Sequence, residues 1–133
     1  MVILYDRFNL PQDIFEVIFS TGQQKIVARE LIKFMAAHQA EITKTEMSIF
    51  ATQLHDGTYE TQLDEAPYNG KKVKLSYNKR QFYDRILTPM KAMGLIDYDL
   101  YKKTYKISSK FQQDLMQIGL MWKQELRKMG VNV

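Results

Sequence analysis

Apolar positions along this chain of 133 residues fall mostly three or four apart, broken twice by short alternating stretches. Between 23 and 39, Val27, Leu31, Phe34, Met35 and the half-apolar His38 mark one face of a helix. A second helix starts more sharply. Thr43 and Glu46 stand at capping-box spacing, with Ile42 and Met47 at the staple positions outside and inside the cap. That helix should run to about Leu54, burying Met47, Phe50, Ala51 and Leu54, and stop at Asp56-Gly57. Upstream, residues 2–8 read as a short strand or extended arm. Asn9 reads as the cap of a short helix over 10–19, with Gln12 as its partner and Pro11 in the first turn. Thr21-Gly22 breaks the chain before the first long helix.

Alternation replaces the helical period over 58–63 and 71–76, on either side of Asp64 to Gly70, a pattern that fits a hairpin and, nearly as well, a mobile basic loop. Asn78 then caps a new helix, with Gln81 at the reciprocal box position and Tyr77 able to staple against Phe82. Its inward face should hold Phe82, Ile86, Met93 and, partly, Met90. Its outward face should hold Tyr77, Arg80, Gln81, Asp84, Thr88 and Lys91, with Lys79 and Arg85 at the margins. Pro89 should kink or loosen this helix near 85–88, because it lacks a donor and crowds a carbonyl. Gly94 ends it. A short hairpin follows, with strands Leu95 to Tyr98 and Thr104 to Ile107 joined by Asp99 to Lys103. Ser108 or Ser109 caps a last helix, Ser109 having Gln112 as box partner. Phe111, Leu115, Ile118, Trp122, Leu126 and Met129 form its apolar stripe.

Charge is distributed unevenly. Residues 71–106 carry ten Lys/Arg against three Asp, a net of +7, whereas residues 1–70 carry five against ten, a net of −5. The overall +4 therefore conceals a polarity that suits a polyanionic partner. Length and a 45% hydrophobic content are those of one globular domain with a real core. The chain has no cysteine, which removes disulfides, thiol nucleophiles and thiolate metal sites and fits a cytoplasmic setting. Only four apolar residues precede the first charge, too few for a signal peptide, and no run reaches the length of a membrane span.

The stretch Phe82-Tyr-Asp-Arg-Ile-Leu-Thr-Pro-Met-Lys-Ala-Met-Gly-Leu-Ile96, followed by Asp97-Tyr98 and Tyr105-Lys-Ile-Ser108, resembles the winged helix-turn-helix superfamily. There a reading helix often ends in Gly-Leu-Ile, and a two-stranded wing closes on a Tyr-x-Leu/Ile-Ser/Thr step. The clear match covers about 30 residues, and the helices over 23–39 and 43–54 supply the rest of a three-helix core in the expected order. The connection over 55–77 departs from the brief turn usual in the superfamily, so either a hairpin is inserted there or the second helix is not the scaffold helix. The resemblance implies a mostly α protein with a small β-hairpin wing. Its N-terminal arm and short helix would span 1–22, a winged-helix core 23–108 with an insertion near 55–77, and a C-terminal helix 109–130.

It implies, too, a mechanism of double-stranded DNA binding. The helix beginning at Asn78 would enter the major groove, with Arg80 on guanine and Gln81 or Asn78 on adenine. Lys79 and Arg85 would reach phosphates, and Asp84 would accept from cytosine or orient Arg80. Tyr101, Lys102 and Lys103 would lie on the backbone or an adjacent minor groove, and Lys71, Lys72 and Lys74 would add sequence-independent attraction. Basic helices and lysine-bearing turns are also common solvated decoration; it is the helix and hairpin together with the charge polarity that favour nucleic acid.

The final stripe, with Gly119 beside it at a cost to helix propensity, points to a homodimer through Phe111, Leu115, Ile118, Trp122, Leu126 and Met129. Packing back onto the chain's own N-terminal helices is the alternative. His38 and His55 lack partners at ligand spacing, Asp97 and Asp99 read as solvated charges, and the methionines read as packing. No catalytic motif stands out, and neither metal nor cofactor is expected. The expected role is a small dimeric transcriptional regulator. A plasmid or viral replication or partition factor, or a winged-helix module that docks a protein, are the rivals.

Overall fold

The computed structural model describes residues 6–63 and 70–133. In order, its elements are α1 (Ile14–Ile18), α2 (Gly22–Ala37), β1 (Glu41–Thr43), α3 (Lys44–Asp56), β2 (Tyr59–Leu63) and β3 (Lys71–Leu75). There follow α4 (Lys79–Gln81), a π-helical segment (Phe82–Leu87), α5 (Thr88–Ala92), β4 (Ile96–Asp99), β5 (Thr104–Ile107) and α6 (Lys110–Lys128). The architecture is mixed α/β, with a three-stranded antiparallel sheet ordered β1-β5-β4, a separate β2–β3 hairpin and a long C-terminal helix. Beyond the expected wing hairpin and the possible hairpin over 58–76, it adds the short strand β1.

Local chemistry explains most of the boundaries. Thr43 and Glu46 form both halves of the capping box at the start of α3, and Ile42 and Met47 beside it are buried. Gly57, at φ +70°, closes that helix in the left-handed conformation. Thr21 caps α2 through the Gln24 N–H. At the N-terminus the expectation fails. Arg7–Asn9 is a 3-10 turn capped by Asp6, and the remainder of the predicted arm, residues 2–5, lies outside the described residues. Asn9 does not cap a helix over 10–19: it is the last residue of the 3-10 turn, its side-chain amide donates to Asp6, and the first described α-helix begins at Ile14. Asp13 caps the shorter α1 instead. At the start of α6 it is Ser108 that accepts the Lys110 N–H, while Ser109 binds the Gln113 side chain, so the Ser109–Gln112 box does not form.

Residues 58–76 resolve as the hairpin rather than the loop, with the 64–69 connection outside the described residues. The hairpin leaves and returns at one point: the Leu54 carbonyl accepts both the Gly57 N–H (3.2 Å) and the Tyr77 N–H (2.9 Å). Its inner face carries Tyr59, Thr61 and Leu63. Tyr59 packs edge-on against Phe50 at 5.0 Å, and the Thr61 hydroxyl donates to Glu30 at 2.9 Å. Glu30 is only 1% exposed, and Lys33 supplies its other partner at 3.1 Å, so the buried carboxylate is satisfied and ties the hairpin to α2. Burial, with the Glu30 carboxylate nearby, pushes the Tyr59 phenol up to about 12.

The core is built around Phe50, which meets Phe34 of α2 at 5.2 Å and Phe82 at 5.5 Å. Tyr77, predicted on the outward face and as a staple for Phe82, is buried in the same core cluster as Phe82. Pro89 acts through the preceding turns. The Thr88 N–H reaches the Tyr83 carbonyl, five residues back, and 82–87 widens into π-helix before α5 resumes. That extra residue shifts the inward face, so Leu87 and Met90 are fully buried alongside Phe82 and Ile86, and Met93 is only half-buried. Gly94, at φ +81°, brings the chain so close to the start of α6 that a Cβ there would stand 3.0 Å from the Lys110 Cβ.

Candidate nucleic-acid interface

Two elements hang from α3. At its N-terminal end, the Lys44 N–H donates to the Lys103 carbonyl at 2.9 Å, fastening the β4–β5 turn. Along its C-terminal half, α4 is fastened by Lys79. The Lys79 backbone N–H donates to His55 Nδ1 at 3.1 Å, and its ammonium donates to the hydroxyls of Thr52 (2.9 Å) and Ser48 (3.5 Å). Ser48, Thr52 and His55 recur at i, i+4 and i+7, a polar stripe legible in the sequence as one face of α3. Sequence reasoning passed over it, treating polar faces as solvent and assigning Lys79 to phosphates. The structure holds Lys79 half-buried against α3.

Beyond Lys79, the exposed surface of α4 and the π segment consists of Arg80, Gln81, Asp84 and Arg85, preceded by the exposed Asn78. Asn78 Oδ1 accepts the Gln81 N–H at 3.0 Å, so its side chain is engaged as a cap. Arg80 Nε lies 3.8 Å from Asp84, an exposed i,i+4 pair that orients the guanidinium at little energetic gain. Arg85 makes no ion pair among the described residues.

The β4–β5 turn has a defined shape. Asp99 accepts the backbone N–H groups of Tyr101 (2.9 Å) and Lys102 (3.0 Å), and Lys103 takes φ +55°. Hydrogen bonds from Lys102 and Tyr101 hold the Asp99 carboxyl below its usual range. Tyr101, Lys102 and Lys103 all project into solvent, Tyr101 fully. The sheet behind them is different. Glu41, Lys106 and Asp97 align across the three strands, with Lys110 3.1 Å from Asp97 and Thr104 donating to Glu41, so this outer face is nearly neutral. The positive surface is therefore smaller than the +7 stretch suggests, since Lys79 is held against α3 and Lys106 stands in register between Glu41 and Asp97.

Lys72 and Lys74 share the outer face of the β2–β3 hairpin with Gln62 and Glu60, their cross-strand partners, and Lys71 is exposed at its far end. The anchoring contacts of this hairpin go to α2 and α3 rather than to the α4–α5 helix. The predicted dimer stripe lies on a helix with no buried residue. Phe111 and Leu126 are half-buried, while Leu115, Ile118, Trp122 (65%) and Met129 (68%) are exposed. Among the described residues an open apolar groove of about 550 Å³ lies between Leu115, Ile118 and Gly119 and the segment bearing Leu10, Ile14 and Val17. Among the described residues a Cβ at Gly119 would meet nothing within 4 Å, so no close backbone approach there explains that glycine.

Among the described residues no helix is long and apolar enough to cross a membrane, and no cluster of His, Cys, Asp or Glu is arranged to hold a metal. No protein family, curated protein or solved structure matches this chain.

Proposed function

We propose that this chain is a winged helix-turn-helix protein that binds double-stranded DNA, with α4 and the π segment as reading helix and β4–β5 as wing. The observation that carries the reading is that α3 holds both parts. The wing turn is bonded at Lys44 and the reading helix at His55, eleven residues apart and so about 16 Å along the scaffold helix. A major groove is about 12 Å wide, so a helix lying in it leaves a turn at that offset over the neighbouring backbone. In this reading the exposed Arg80 and Gln81 would read base edges, and the exposed Arg85, Lys102 and Lys103 would meet phosphates. Two copies, joined through α6, would present two such helices to a palindromic site.

The role we propose is a small transcriptional regulator. A plasmid or viral replication or partition factor would use the same chemistry at repeated origin or centromere sites. Selection from a random duplex library, repeated with Arg80→Ala and Gln81→Ala, tests the assignment. The expected result is an enriched palindrome whose information falls at the positions those side chains read. A palindrome unchanged by both substitutions would overturn the reading-helix assignment. Absence of duplex binding even at low salt would replace DNA with a protein partner for the same surface.

A further inference from the structure

The seam of the proposed homodimer has a direction. On α6 each residue turns by about 100°, which puts Trp122 at the centre of the stripe, with Leu115, Leu126, Phe111, Met129 and Ile118 within about 40° of it. The margins differ in sign. Asp114 and Glu125 lie on one side, about 60–80° from the centre, with Lys110 and Lys128 farther round at about 120° and paired within the chain to Asp97 and Glu125. Lys123 lies on the other side at about 100°, its long stem able to reach back towards the seam.

Two-fold symmetry treats those margins differently in the two possible pairings. In a parallel pair the axis runs along the helices, and the acidic margin of one copy meets the basic margin of the other. Glu125 then faces Lys123 of the second copy, two residues or about 3 Å along the axis. In an antiparallel pair centred on the helix midpoint, like margins meet. Glu125 then stands beside Asp114 of the second copy, and two carboxylates flank the seam. Among the described residues Glu125 pairs only with the exposed Lys128, at 3.6 Å, which leaves it available to Lys123 across the seam.

We infer that two copies of this chain associate through a parallel pairing of α6, with Trp122 packed against its own symmetry mate and the apolar groove beside Leu115 and Ile118 extending the contact. The inference rests on the dimer reading given above. Area supports the part played by the groove. A helix roughly 28 Å long and about 10 Å across offers less than the ~800 Å² per partner of a standard interface. The exposed Leu10, Ile14 and Val17 lie beside the lower half of the stripe and enlarge the apolar surface open to the second copy. A parallel seam places both globular bodies at the same end of the helix pair, where two reading helices can face one duplex. An antiparallel seam would separate them to opposite ends.

The chain has no cysteine, so a single introduced thiol reports orientation without ambiguity. The side chain at 126 is half-buried on a helix that carries no core residue, so Leu126→Cys leaves the fold intact. Under mild oxidation Leu126→Cys is expected to shift most of the chain to twice its mass, because residue 126 meets residue 126. A mixture of Gln112→Cys and Leu126→Cys chains should give little crossed product. If instead the crossed product dominates and Leu126→Cys alone does not link, the seam is antiparallel and the inference falls while the dimer stands. If the unmodified chain sediments as a monomer at tens of micromolar and neither linkage forms, the dimer reading falls with it.

Discussion

Two cations on adjacent turns of one helix, Lys79 and Arg85, should behave differently when their charge is removed. The Lys79 ammonium is held by the hydroxyls of Thr52 and Ser48, whereas Arg85 projects into solvent. On duplex DNA each phosphate contact contributes about 0.9 to the slope of log affinity against log salt. Between 50 and 200 mM salt, a fourfold change, one contact therefore accounts for a loss of about 3.5-fold in affinity. Arg85→Met is expected to lower the slope by about one contact and to leave stability unchanged. Lys79→Met keeps the packed stem, removes the hydrogen bonds and should cost about 1 kcal/mol of stability while the slope stays as it was. Fluorescence anisotropy of a labelled duplex, titrated at four salt concentrations, measures the slope, and chemical denaturation measures the stability. If Lys79→Met flattens the slope as much as Arg85→Met, the clasp onto α3 opens on binding and the geometry described for Lys79 does not operate in the complex. If neither variant changes it, this helix does not lie against DNA.

Other parts of the molecule give equally direct expectations. Gly57→Ala should cost about 1–2 kcal/mol, since its left-handed backbone is disfavoured but its surroundings are open at 3.8 Å. Gly94→Ala should cost clearly more, because the same backbone penalty is joined by contacts of 3.0–3.3 Å with Lys110 and Phe111; equal losses would show that α6 yields freely there. Leu87→Ala should destabilise by about 2–5 kcal/mol and Met93→Ala by appreciably less, and the reverse order in thermal unfolding would contradict the shifted face of the π segment. Thr61→Val should cost about 1–3 kcal/mol by leaving the Glu30 carboxylate one partner short, with faster proteolysis of the β2–β3 hairpin as its signature. Asp99 titrates lower in the folded chain than in the unfolded one, so its contribution is present at neutral pH and lost as pH falls through the folded value. Carboxyl NMR shifts should place its midpoint below that of an ordinary aspartate, and Asp99→Asn should remove that part of the acid sensitivity of the turn.

Several signals carried within a few residues were legible, although the Asn9 cap and the Ser109–Gln112 box did not form. The Thr43–Glu46 box, the Asn78 cap and the stops at Gly57 and Gly94 depend on local backbone geometry, and each stands where the pattern put it. β1 was not legible. Three residues show no periodicity, and the strand exists because Glu41 to Thr43 finds Lys106 to Thr104 some sixty residues later. The effect of Pro89 was foreseen as loosening near 85–88. Its form, an inserted residue that exchanges Met93 for Leu87 in the core, depends on what the core could accept. At the site, the exposure of Arg80, Gln81, Arg85, Lys102 and Lys103 followed from the wheel and the turn. The engagement of Lys79 did not, because the stripe of Ser48, Thr52 and His55 that receives it lies on another helix.

The shared acceptor at Leu54 has a consequence for how this chain can vary. Because the hairpin departs and returns at one carbonyl, Gly57 and Tyr77 stand as near neighbours, and α3 and α4 are joined in space as though by a tight turn. Loop-closure entropy changes by only about 0.6 kcal/mol for each doubling of length. Residues 58–76 therefore form a cassette. Their length and sequence can change, or a foreign segment can be grafted in their place, while the angle between α3 and α4 is preserved by contacts outside the hairpin. What is lost on excision is the cover over Glu30 and Phe50, so a shortened chain would need an apolar residue in place of that carboxylate.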